Sequence, residues 1–350
     1  MGNNKTKIQP VNPGKPERAA ISRAASVLRS GDLIILPTET VYGVAGLPGT
    51  ENRLYAAKER DRGKPIPLMA SGLAAVEHHG AQLSPKARQL ARRFWPGPLT
   101  LVLSCGGKTE GFRVPDHAVA LAVLKAAGGL LRVTSANLSG EPSAKTVEEA
   151  LAALDNQVAL ALDAGPSPLG VESTVVDATG DQLKILRPGA ISKAAILARP
   201  RVLFVCTGNT CRSPMAEYLL RQWLGADSEW DAASAGVSAF DGEQASEGAI
   251  QAMKEKKIDM SAHRSQHLTQ AHVDDSDLIV VMTTAHKQTV LRSFPRAADR
   301  VFLVNEFNSR RPGEDVPDPF GMCSDVYRKI RDEIGAAMPD LVLHVHGLYK

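Results

Sequence analysis

The spacing of apolar residues predicts alternating helices and strands through the first half of the chain. From Pro16 onward, apolar side chains recur on one helical face, and Gly31 ends the pattern. The residues that share this face are Ala19, Ala20, Ile21, Ala24, Val27 and Leu28. The next segment, "DLIILP" (32–37), has the character of a short buried strand. Because this alternation continues to about Ala198, an α/β fold is predicted.

The second half repeats the alternation after Pro200. Apolar runs predict strands at Val202–Val205, in "DLIVVM" (277–282) and in "RVFLV" (300–304). Helices are predicted from about Ser213, near 245–256, near 284–294 and from about Ser324. The pattern therefore predicts two α/β domains, residues 17–198 and 199–350, preceded by a polar, flexible tail over residues 1–16.

The composition is that of a globular chain with a sizeable core. Of 350 residues, 43% are hydrophobic and 23% are charged, and the net charge is only +3, so nucleic-acid affinity would need a local patch. Four cysteines are too few for a disulfide framework, which leads us to expect a reducing, cytoplasmic location. The longest apolar run, Ala118 to Leu131, is interrupted by Lys125 and is shorter than the ~18 residues of a membrane helix, so no membrane partner is expected.

The loop "VCTGNTCRSPMAE" (205–217) joins a predicted strand to a predicted helix. Gly208 is expected to give the loop backbone freedom, and Ser213 and Pro214 suit the N-cap and the first helical position. Backbone amides at such a helix N-terminus bind anions. Arg212 adds the planar set of donors that suits a phosphoryl group. The loop therefore predicts an anion site.

The thiol of Cys206 lies at the same predicted helix N-terminus. The field of the helix and of Arg212 is expected to lower the pKa of the thiol and make it a nucleophile, with Ser213 as a hydrogen-bond partner. These features favour attack on phosphorus through a cysteinyl-phosphate. Asp318 in "VPDPFG" is the candidate acid for the leaving group, because prolines on both sides restrict its backbone. Taken alone, an aspartate there is more typical of a solvated turn.

The combination of "CTGNTCRSP" with "DPFG" about a hundred residues later resembles the low-molecular-weight protein-tyrosine phosphatase family over residues 200–350. The resemblance implies a small, doubly wound parallel sheet with the site at the strand ends. It implies Cys206 as nucleophile, Arg212 as phosphate binder and Asp318 as general acid. The other phosphate-loop residues that it implies are Thr207, Gly208, Asn209, Thr210, Cys211 and Ser213. No cofactor is implied for this half.

Thr210 narrows the substrate class, since typical tyrosine phosphatases of the family carry a larger aliphatic residue there. Thr210, Phe320 and "TAHKQ" (284–288) resemble the protein-arginine phosphatase branch. A threonine hydroxyl can hydrogen-bond a guanidinium or orient water, and isoleucine cannot. A phosphoarginine protein is therefore favoured as substrate, and phosphotyrosine stays open. Arsenate reduction is disfavoured, because no cysteine pair for its disulfide relay lies between Cys211 and Cys323.

The first half has no Walker-type phosphate loop, yet several of its segments suit an anion site. "PTETVYG" (37–43) follows a buried strand, where α/β sheets bind ligands. "KERDRGK" (58–64) is rich in basic side chains, although such a run alone is more typical of a solvated face. The segments "TSANLSG" (134–140), "ESTVVD" (172–177) and "ILRPGAI" (185–191) add hydroxyls, an amide and an arginine.

In this order, and together with "WPGPLTL" (95–101) and "RVPDH" (113–117), these segments resemble the threonylcarbamoyl-AMP synthase family, or YrdC-like domain, over about residues 16–195. The resemblance implies a twisted mixed α/β sheet. It implies condensation of L-threonine, bicarbonate and ATP to threonylcarbamoyl-AMP and pyrophosphate, with Mg²⁺ accompanying ATP. That product serves the t6A modification of tRNA, whose machinery would be an indirect partner. "VYGVAG" departs from the more usual "VYGLGA".

The reactants of this condensation are anionic, so positive groups must bring them together and stabilise the transition state. The residues implied in ATP binding are Lys58, Arg60, Arg113, Asn137 and Arg187. The residues implied in threonine binding are Thr38, His117, Ser135 and Ser173, and Ser139 is a candidate for either substrate. No metal-binding side chain is expected.

The leading hypothesis is a bifunctional enzyme that joins nucleotidyl transfer to cysteine-dependent protein dephosphorylation. One alternative is that the first half is a double-stranded-RNA-binding module without synthase activity, with Arg88, Arg92 and Arg93 as a basic stripe. A phosphatase half that senses without turnover is disfavoured by its intact catalytic set. Cys211 either pairs with Cys206 under oxidation or is a small buried hydrophobe.

Overall fold

Two separate sheets organise the chain, one in residues 1–197 and one in residues 198–350. The computed structural model describes residues 6–180 and 182–349. Each unit has buried hydrophobic clusters of its own. None of the described helices combines the length and the apolar character that crossing a bilayer requires.

The described residues of the first unit form eleven strands and seven helices. The strands are β1 (Lys7–Pro10), β2 (Ile34–Leu36), β3 (Gly43–Gly46), β4 (Leu68–Ala70), β5 (Ala81–Gln82), β6 (Leu99–Cys105), β7 (Lys108–Arg113), β8 (Leu130–Ser135), β9 (Leu160–Asp163), β10 (Thr174–Asp177) and β11 (Lys184–Arg187). The helices are α1 (Arg18–Arg29), α2 (Glu51–Ala57), α3 (Leu73–His78), α4 (Pro85–Phe94), α5 (Ala118–Ala126), α6 (Val147–Leu154) and α7 (Lys193–Leu197).

These strands form one mixed sheet in the order β1-β9-β2-β3-β8-β4-β7-β6-β10-β11, with β5 paired to β6. Strand β3 runs antiparallel to β2 and β8, whereas β10 runs parallel to β6. The mixed α/β sheet predicted for this half is confirmed. Strands β3, β8, β10 and β11 each contribute residues to a single cavity, described below.

Helix α1 follows the predicted apolar pattern. Its side chains Ala20, Ile21, Ala24 and Leu28 are buried on one face and join the core beneath β2 and β9. The helix ends at Arg29, and Gly31 follows with a φ of 85°, a left-handed conformation that glycine adopts without strain.

The beginning of the chain differs from the predicted flexible tail over residues 1–16. Strand β1 pairs in parallel with β9, and the backbone N–H of Val11 donates to Asp163 O at 2.8 Å. The Thr6 hydroxyl donates to Val158 O at 3.0 Å. Backbone hydrogen bonds at the edge of the sheet hold this polar segment, so its composition gives no sign of a strand. Residues 1–5 of the predicted tail lie outside the described residues.

The described residues of the second unit form four strands, five α-helices and two short 3₁₀ helices at Pro295–Arg300 and Val304–Phe307. The strands are β12 (Arg201–Cys206), β13 (Asp231–Gly236), β14 (Leu278–Val281) and β15 (Val301–Leu303). The helices are α8 (Arg212–Leu224), α9 (Glu247–Lys254), α10 (Gln270–Asp274), α11 (Thr284–Ser293) and α12 (Ser324–Gly347).

All four strands of this sheet are parallel, in the order β13-β12-β14-β15. The strand order reverses at β12, which confirms the predicted doubly wound fold and places a ligand crevice at the carboxyl end of β12. Strand β13 was not among the predicted strands. Its sequence, "DAASAG", consists mostly of small residues and lacks the β-branched residues that mark a strand.

Helix α9 packs against α12 through a glycine. A Cβ on Gly248 would lie 2.6 Å from ring atoms of Tyr327, well inside van der Waals contact. Tyr327 belongs to the buried core of the unit, so the ring has little room to yield. By contrast, a Cβ on Gly335 of α12 would have no atom within 4 Å.

Two glycine-to-alanine substitutions should therefore change stability in opposite directions. Gly335→Ala should stabilise the second unit by about 0.5–1 kcal/mol, because alanine has the higher helix propensity. Gly248→Ala should destabilise it by about 1–3 kcal/mol, because the added methyl group overpacks against Tyr327. Differential scanning calorimetry measures both changes. Equal stability of the two variants would contradict this packing.

Candidate active sites in the two units

The loop between β12 and α8 surrounds the thiol of Cys206. Cys206 is the last residue of β12 and is buried, and its Sγ lies 2.9 Å from Ser213 Oγ. Arg212 begins α8, so five loop residues separate the thiol from the guanidinium. A loop that enters a helix N-terminus presents backbone amides to an anion. The arrangement suits a phosphoryl group beside a sulfur nucleophile.

The sequence pattern predicts Ser213 as the N-cap of α8, and this prediction is wrong. The helix begins one residue earlier, and its N-cap residue, Cys211, makes no side-chain capping hydrogen bond. The Ser213 hydroxyl instead accepts a hydrogen bond from Asn209 Nδ2 at 2.9 Å and contacts Cys206 Sγ. It also lies 3.4 Å from Ala235 O as a donor, so the hydroxyl links the thiol, the loop and β13 and does not cap the helix.

The turn of the loop depends on Asn209, where the sequence pattern had pointed to Gly208. Asn209 has a φ of 54°, in the left-handed region, and Gly208 is not among the residues of positive φ. Asn209 Nδ2 donates to Ser213 Oγ and to Ser234 Oγ, and its Oδ1 accepts from Gln266 N at 2.8 Å. These three hydrogen bonds hold the buried asparagine in its conformation.

Strand β13 supports the loop from the side. A Cβ on Gly236 would lie less than 3.0 Å from both Thr207 O and Asn209 N, so only glycine permits this approach. Ser234, two residues earlier, donates to Glu217 Oε2 at 2.5 Å. Burial raises the pKa of Glu217. The sequence pattern did not reveal these contacts, because β13 was not recognised as a strand.

Arg212 contacts the predicted acid, Asp318, which lies 106 positions later in the sequence. Its Nη2 forms an ion pair with Asp318 Oδ2 at 2.5 Å, and its Nη1 donates to Val316 O at 3.1 Å. The Arg212 side chain is 5% exposed, whereas that of Asp318 is 49% exposed. Arg212 Nε is buried and has no hydrogen-bond partner within the described residues. The structure therefore brings Cys206, Arg212 and Asp318 together and leaves one guanidinium donor for an anion.

Opposing effects set the pKa of the Cys206 thiol. Burial raises the pKa and is the largest effect, while hydrogen bonds from Ser213 and the charge of Arg212 lower it. The pKa of the Cys206 thiol is therefore raised, whereas the sequence pattern predicts that it is lowered. The physical reason is the burial of the thiol itself, because the cost of burying a thiolate exceeds what the hydrogen bonds of the loop and the charge of Arg212 return.

His286 supports the same loop from α11. Its Nε2 lies 2.9 Å from Thr207 Oγ1, and its Nδ1 lies 2.9 Å from Thr283 Oγ1. Burial, and after it the charge of Arg212, lowers the pKa of His286 to about 4. The imidazole is therefore neutral at physiological pH. The sequence pattern had pointed to this residue only as part of "TAHKQ" (284–288).

Thr210 and Cys211 complete the loop. The Thr210 side chain is half-buried, and its Oγ1 lies 3.6 Å from Cys211 Sγ, a long contact for a hydroxyl. Cys211 is buried and donates to Ser246 Oγ at 3.1 Å. Cys206 and Cys211 are both free thiols. Thr210 is thus placed to contact a ligand, and Cys211 faces the interior.

The candidate site of the first unit is a cavity of about 530 Å³. Eight of the nine side chains predicted from the sequence line it: Thr38, Lys58, Arg60, Arg113, Ser135, Asn137, Ser173 and Arg187. Ser139 lines it as well. The ninth, His117, is not among the lining residues. Its backbone is committed to the N-cap position of α5, and burial lowers the pKa of its imidazole.

Lys58 is almost completely buried, at 1% exposure. Its Nζ donates to Ser135 O, to Asn137 O at 2.5 Å and to Asn137 Oδ1 at 3.1 Å. Burial, and after it the charge of Arg60, lowers the pKa of Lys58 to about 8. Carbonyl oxygens solvate the ammonium group without neutralising it, so the cavity retains positive charge for an anionic ligand.

Two arginines of the cavity are paired with glutamates that the sequence pattern had not singled out. Arg113 Nη2 lies 2.6 Å from Glu39 Oε1, and its Nη1 donates to Thr40 Oγ1 at 2.8 Å. Arg187 Nη1 lies 2.5 Å from Glu172 Oε2. Both glutamates lie inside the quoted segments, "PTETVYG" and "ESTVVD". Their positions beside predicted residues were the signal that could have identified them.

Several hydroxyl groups line the cavity beside apolar side chains. Thr38 Oγ1 donates to Val41 O at 2.6 Å and lies 2.9 Å from Thr40 Oγ1. Thr100 Oγ1 lies 2.8 Å from Ser173 Oγ. These short contacts fix the hydroxyls in place, which suits recognition of a small polar ligand.

Basic side chains outnumber acidic ones along this wall. The basic residues are Lys58, Arg60, Lys64, Arg113 and Arg187, and the acidic residues are Glu141 and Glu172. A concave site with this excess of positive charge suits a polyanion such as a nucleotide. Within residues 6–180 and 182–349, no group of three or more His, Cys, Asp or Glu side chains is arranged to hold a metal ion.

The two units therefore define a fusion of two enzyme-like α/β domains, one with a basic nucleotide-sized cavity and one with a cysteine–arginine phosphate loop. Comparison with known families agrees with both descriptions. The family described as "Telomere recombination" (Sua5, yciO and yrdC) matches residues 26–189. The family described as "Low molecular weight phosphotyrosine protein phosphatase" matches residues 201–347.

Curated relatives match each unit separately. The chain is 46% identical over 136 residues to a Geobacillus stearothermophilus "Protein-arginine-phosphatase", covering 38% of this chain and 88% of that protein. It is 35% identical over 198 residues to a Mycobacterium tuberculosis "Putative threonylcarbamoyl-AMP synthase", covering 53% and 90%. It is 38% identical over 192 residues to a Bacillus subtilis "Threonylcarbamoyl-AMP synthase", covering 51% and 56%, so it spans just over half of that relative.

The chain therefore belongs to the threonylcarbamoyl-AMP synthase family in its first unit and to the low-molecular-weight phosphatase family in its second. Both resemblances identified in the sequence are confirmed.

Proposed function

We propose that the second unit removes phosphate from phosphoarginine in proteins by way of a cysteinyl-phosphate. The observation that carries this proposal is the convergence of Cys206, Arg212 and Asp318 at the N-terminus of α8. The 46% identity to an arginine phosphatase supports the substrate class.

In the proposed reaction, the Cys206 thiol loses its proton to solvent, the resulting thiolate attacks phosphorus and the P–N bond breaks. The bonding electron pair stays on nitrogen, which takes a proton from Asp318 and leaves as the guanidino group of arginine. Water then attacks the cysteinyl-phosphate and gives a proton to Asp318, and the S–P bond breaks to release inorganic phosphate. Arg212 and the loop amides stabilise the charge on the phosphoryl oxygens in both steps.

Thr210 is the residue that favours phosphoarginine over phosphotyrosine. Its hydroxyl can accept a hydrogen bond from a guanidino N–H, and its 3.6 Å contact with Cys211 is weak enough to exchange for one. Phe320, which is 73% exposed two residues after Asp318, offers an aromatic face to a guanidinium. An aromatic leaving group would make no use of the Thr210 acceptor.

The substrate proposal predicts how Thr210 controls selectivity. Wild type should release phosphate from phosphoarginine peptides in preference to phosphotyrosine peptides, and Thr210→Ile should reduce that preference by about tenfold or more, because the acceptor is lost. Steady-state phosphate release from both peptides measures the ratio, with Cys206→Ser as the inactive control. A wild type that prefers phosphotyrosine would overturn the substrate class and leave the mechanism standing. Equal release by wild type and Cys206→Ser would overturn the mechanism.

For the first unit, we propose synthesis of threonylcarbamoyl-AMP from ATP, L-threonine and bicarbonate. The observation that carries this proposal is the basic cavity, which gathers eight of the nine side chains implied by the family resemblance. L-Threonine and bicarbonate would condense to a carbamate with loss of water. The carbamate oxygen would then attack the α-phosphorus of ATP and expel pyrophosphate. The product would pass to the machinery that transfers the threonylcarbamoyl group to tRNA.

The cations of the cavity have a clear task in this reaction. Attack by an anionic oxygen on an anionic phosphate requires positive charge at the developing transition state, which Lys58 and Arg60 would supply. Arg113 and Arg187, whose charges are balanced by Glu39 and Glu172, would contribute N–H donors. Mg²⁺ would enter with the phosphates of ATP and reduce their charge, since it is commonly held by phosphates and one or two carboxylates. Glu141 and Glu172 are the carboxylates of the cavity wall that could share it.

The synthase is a better account of this unit than a double-stranded-RNA-binding module. Of the basic stripe considered for RNA, Arg88 is ion-paired with Glu77 at 2.7 Å, and the guanidinium of Arg93 lies 5.2 Å from the centre of the Phe94 ring. The cavity, by contrast, concentrates basic side chains in a concave site of nucleotide size.

The pKa of Lys58 predicts the pH dependence of the synthase. Because burial lowers that pKa to about 8, the ammonium charge is lost as pH rises through that value, and kcat/KM for ATP should fall on the alkaline side. Lys58→Arg keeps its charge, so any activity that it retains should show no such fall. Lys58→Met should lose pyrophosphate formation by at least about a hundredfold.

Pyrophosphate release that requires ATP, L-threonine and bicarbonate together provides the assay. Cys206→Ser, altered only in the second unit, is the matched control and should keep full synthase activity. Alkaline profiles that coincide for wild type and Lys58→Arg would contradict the role of Lys58. RNA binding that weakens steeply with salt, without any pyrophosphate, would favour the RNA-binding module.

A further inference from the structure

The first turn of α11 contacts both loops of the phosphatase site. Through His286 it reaches Thr207, the residue that follows the nucleophile. Through Thr284 it reaches Asp315, whose Oδ1 accepts from Thr284 N at 2.7 Å and from Thr284 Oγ1 at 2.9 Å. Asp315 lies three residues before the proposed general acid. The first turn of α11 therefore fixes the position of the loop that carries the nucleophile relative to the loop that carries the acid.

Two hydroxyl groups flank the ring of His286. Thr283 Oγ1, at the N-cap of α11, accepts from the backbone N–H of His286 at 3.2 Å and lies 2.9 Å from Nδ1. Thr207 Oγ1 lies 2.9 Å from Nε2. These distances fit either neutral tautomer, since a hydroxyl both donates and accepts, and the role proposed below requires the one in which Nε2 carries the proton and donates to Thr207.

The charges that face His286 keep it neutral. Burial and Arg212 lower its pKa, and Asp318 and Asp315 only partly oppose them, so the pKa is about 4. A neutral imidazole adds no charge beside Arg212. It therefore contacts Thr207 through a neutral hydrogen bond and not through an ionic interaction. Thr207 is exposed, in contrast to the buried His286, and it directly follows the nucleophile in sequence, so a ligand in the loop can reach its hydroxyl.

We propose that His286 is a positioning residue that fixes the Thr207 hydroxyl as a hydrogen-bond donor to the phosphoryl group held in the loop, an inference that rests on the phosphatase function proposed above. The Thr207 side chain thereby becomes a phosphoryl ligand in addition to the loop amides and Arg212. Its contribution is greatest when negative charge builds up on the phosphoryl oxygens in the transition state.

A double-mutant cycle between the two residues tests this arrangement. Thr207→Val removes the hydroxyl with little change of shape, and His286→Leu removes the Nε2 donor. Each should lower kcat on phosphoarginine peptides by about tenfold, leave KM nearly unchanged and raise the inhibition constant of vanadate by a similar factor. The double variant should lose about tenfold and not a hundredfold, since both substitutions remove one contact.

Conservative variants separate positioning from a merely structural role. Thr207→Ser keeps the hydroxyl, and His286→Gln keeps an N–H near the position of Nε2, so both should remain within about threefold of wild type. If His286→Leu does not fold, as judged by circular dichroism and thermal melting, the other three variants still decide the question. Losses that multiply in the double variant, or a Thr207→Val enzyme with unchanged kcat and vanadate inhibition, would overturn the proposal.

Failure of the underlying function has a different signature. A wild type that releases no more phosphate than Cys206→Ser would overturn the phosphatase proposal and this inference with it. An active wild type with multiplying losses would overturn the role of His286 alone.

Discussion

Burial of positive charge is the constraint on which both candidate sites depend. A buried cation without a partner costs several kcal/mol, yet Lys58, Arg113 and Arg212 are only 1%, 8% and 4% exposed. Carbonyl oxygens surround Lys58, whereas carboxylates pair with Arg113 and Arg212. Strand ends and short loops of each sheet must present these acceptors. The local architecture of each site follows from that requirement.

The two carboxylates that pair with buried arginines, Glu39 and Asp318, differ in their exposure to solvent. The side chains of Glu39 and Arg113 are both 9% exposed, so this pair is sealed and serves to orient the guanidinium. Asp318 is 49% exposed against 5% for Arg212, so solvent can take up the carboxylate when an anion approaches. The anion would then take the place of Asp318 as the partner of the buried guanidinium.

The sequence predicts the parts of this structure whose chemistry is local. Strands β12 and β14 are continuous runs of apolar residues, and a cysteine six residues before an arginine has few structural uses, so both could be predicted. Strand β13 could not, because its small residues pack against a loop that only the folded chain brings near. Glu39 and Glu217 lie inside segments that the sequence pattern singles out, but the residues they contact, Arg113 and Ser234, are distant in sequence. The sequence pattern predicts backbone freedom at Gly208, whereas the residue with a left-handed conformation is Asn209, whose side chain is held by Ser213 and by two residues distant in sequence, Ser234 and Gln266.

The central claim, that Asp318 is the exchangeable partner of Arg212, is tested most directly by calorimetric titration with inorganic phosphate. Asp318→Asn removes the competing charge and nearly preserves the shape of the side chain, and Asp325→Asn at an exposed position of α12 is the matched control. The account predicts that Asp318→Asn binds phosphate about tenfold more tightly than wild type and that the control binds with wild-type affinity. Unchanged or weaker binding by Asp318→Asn would contradict it.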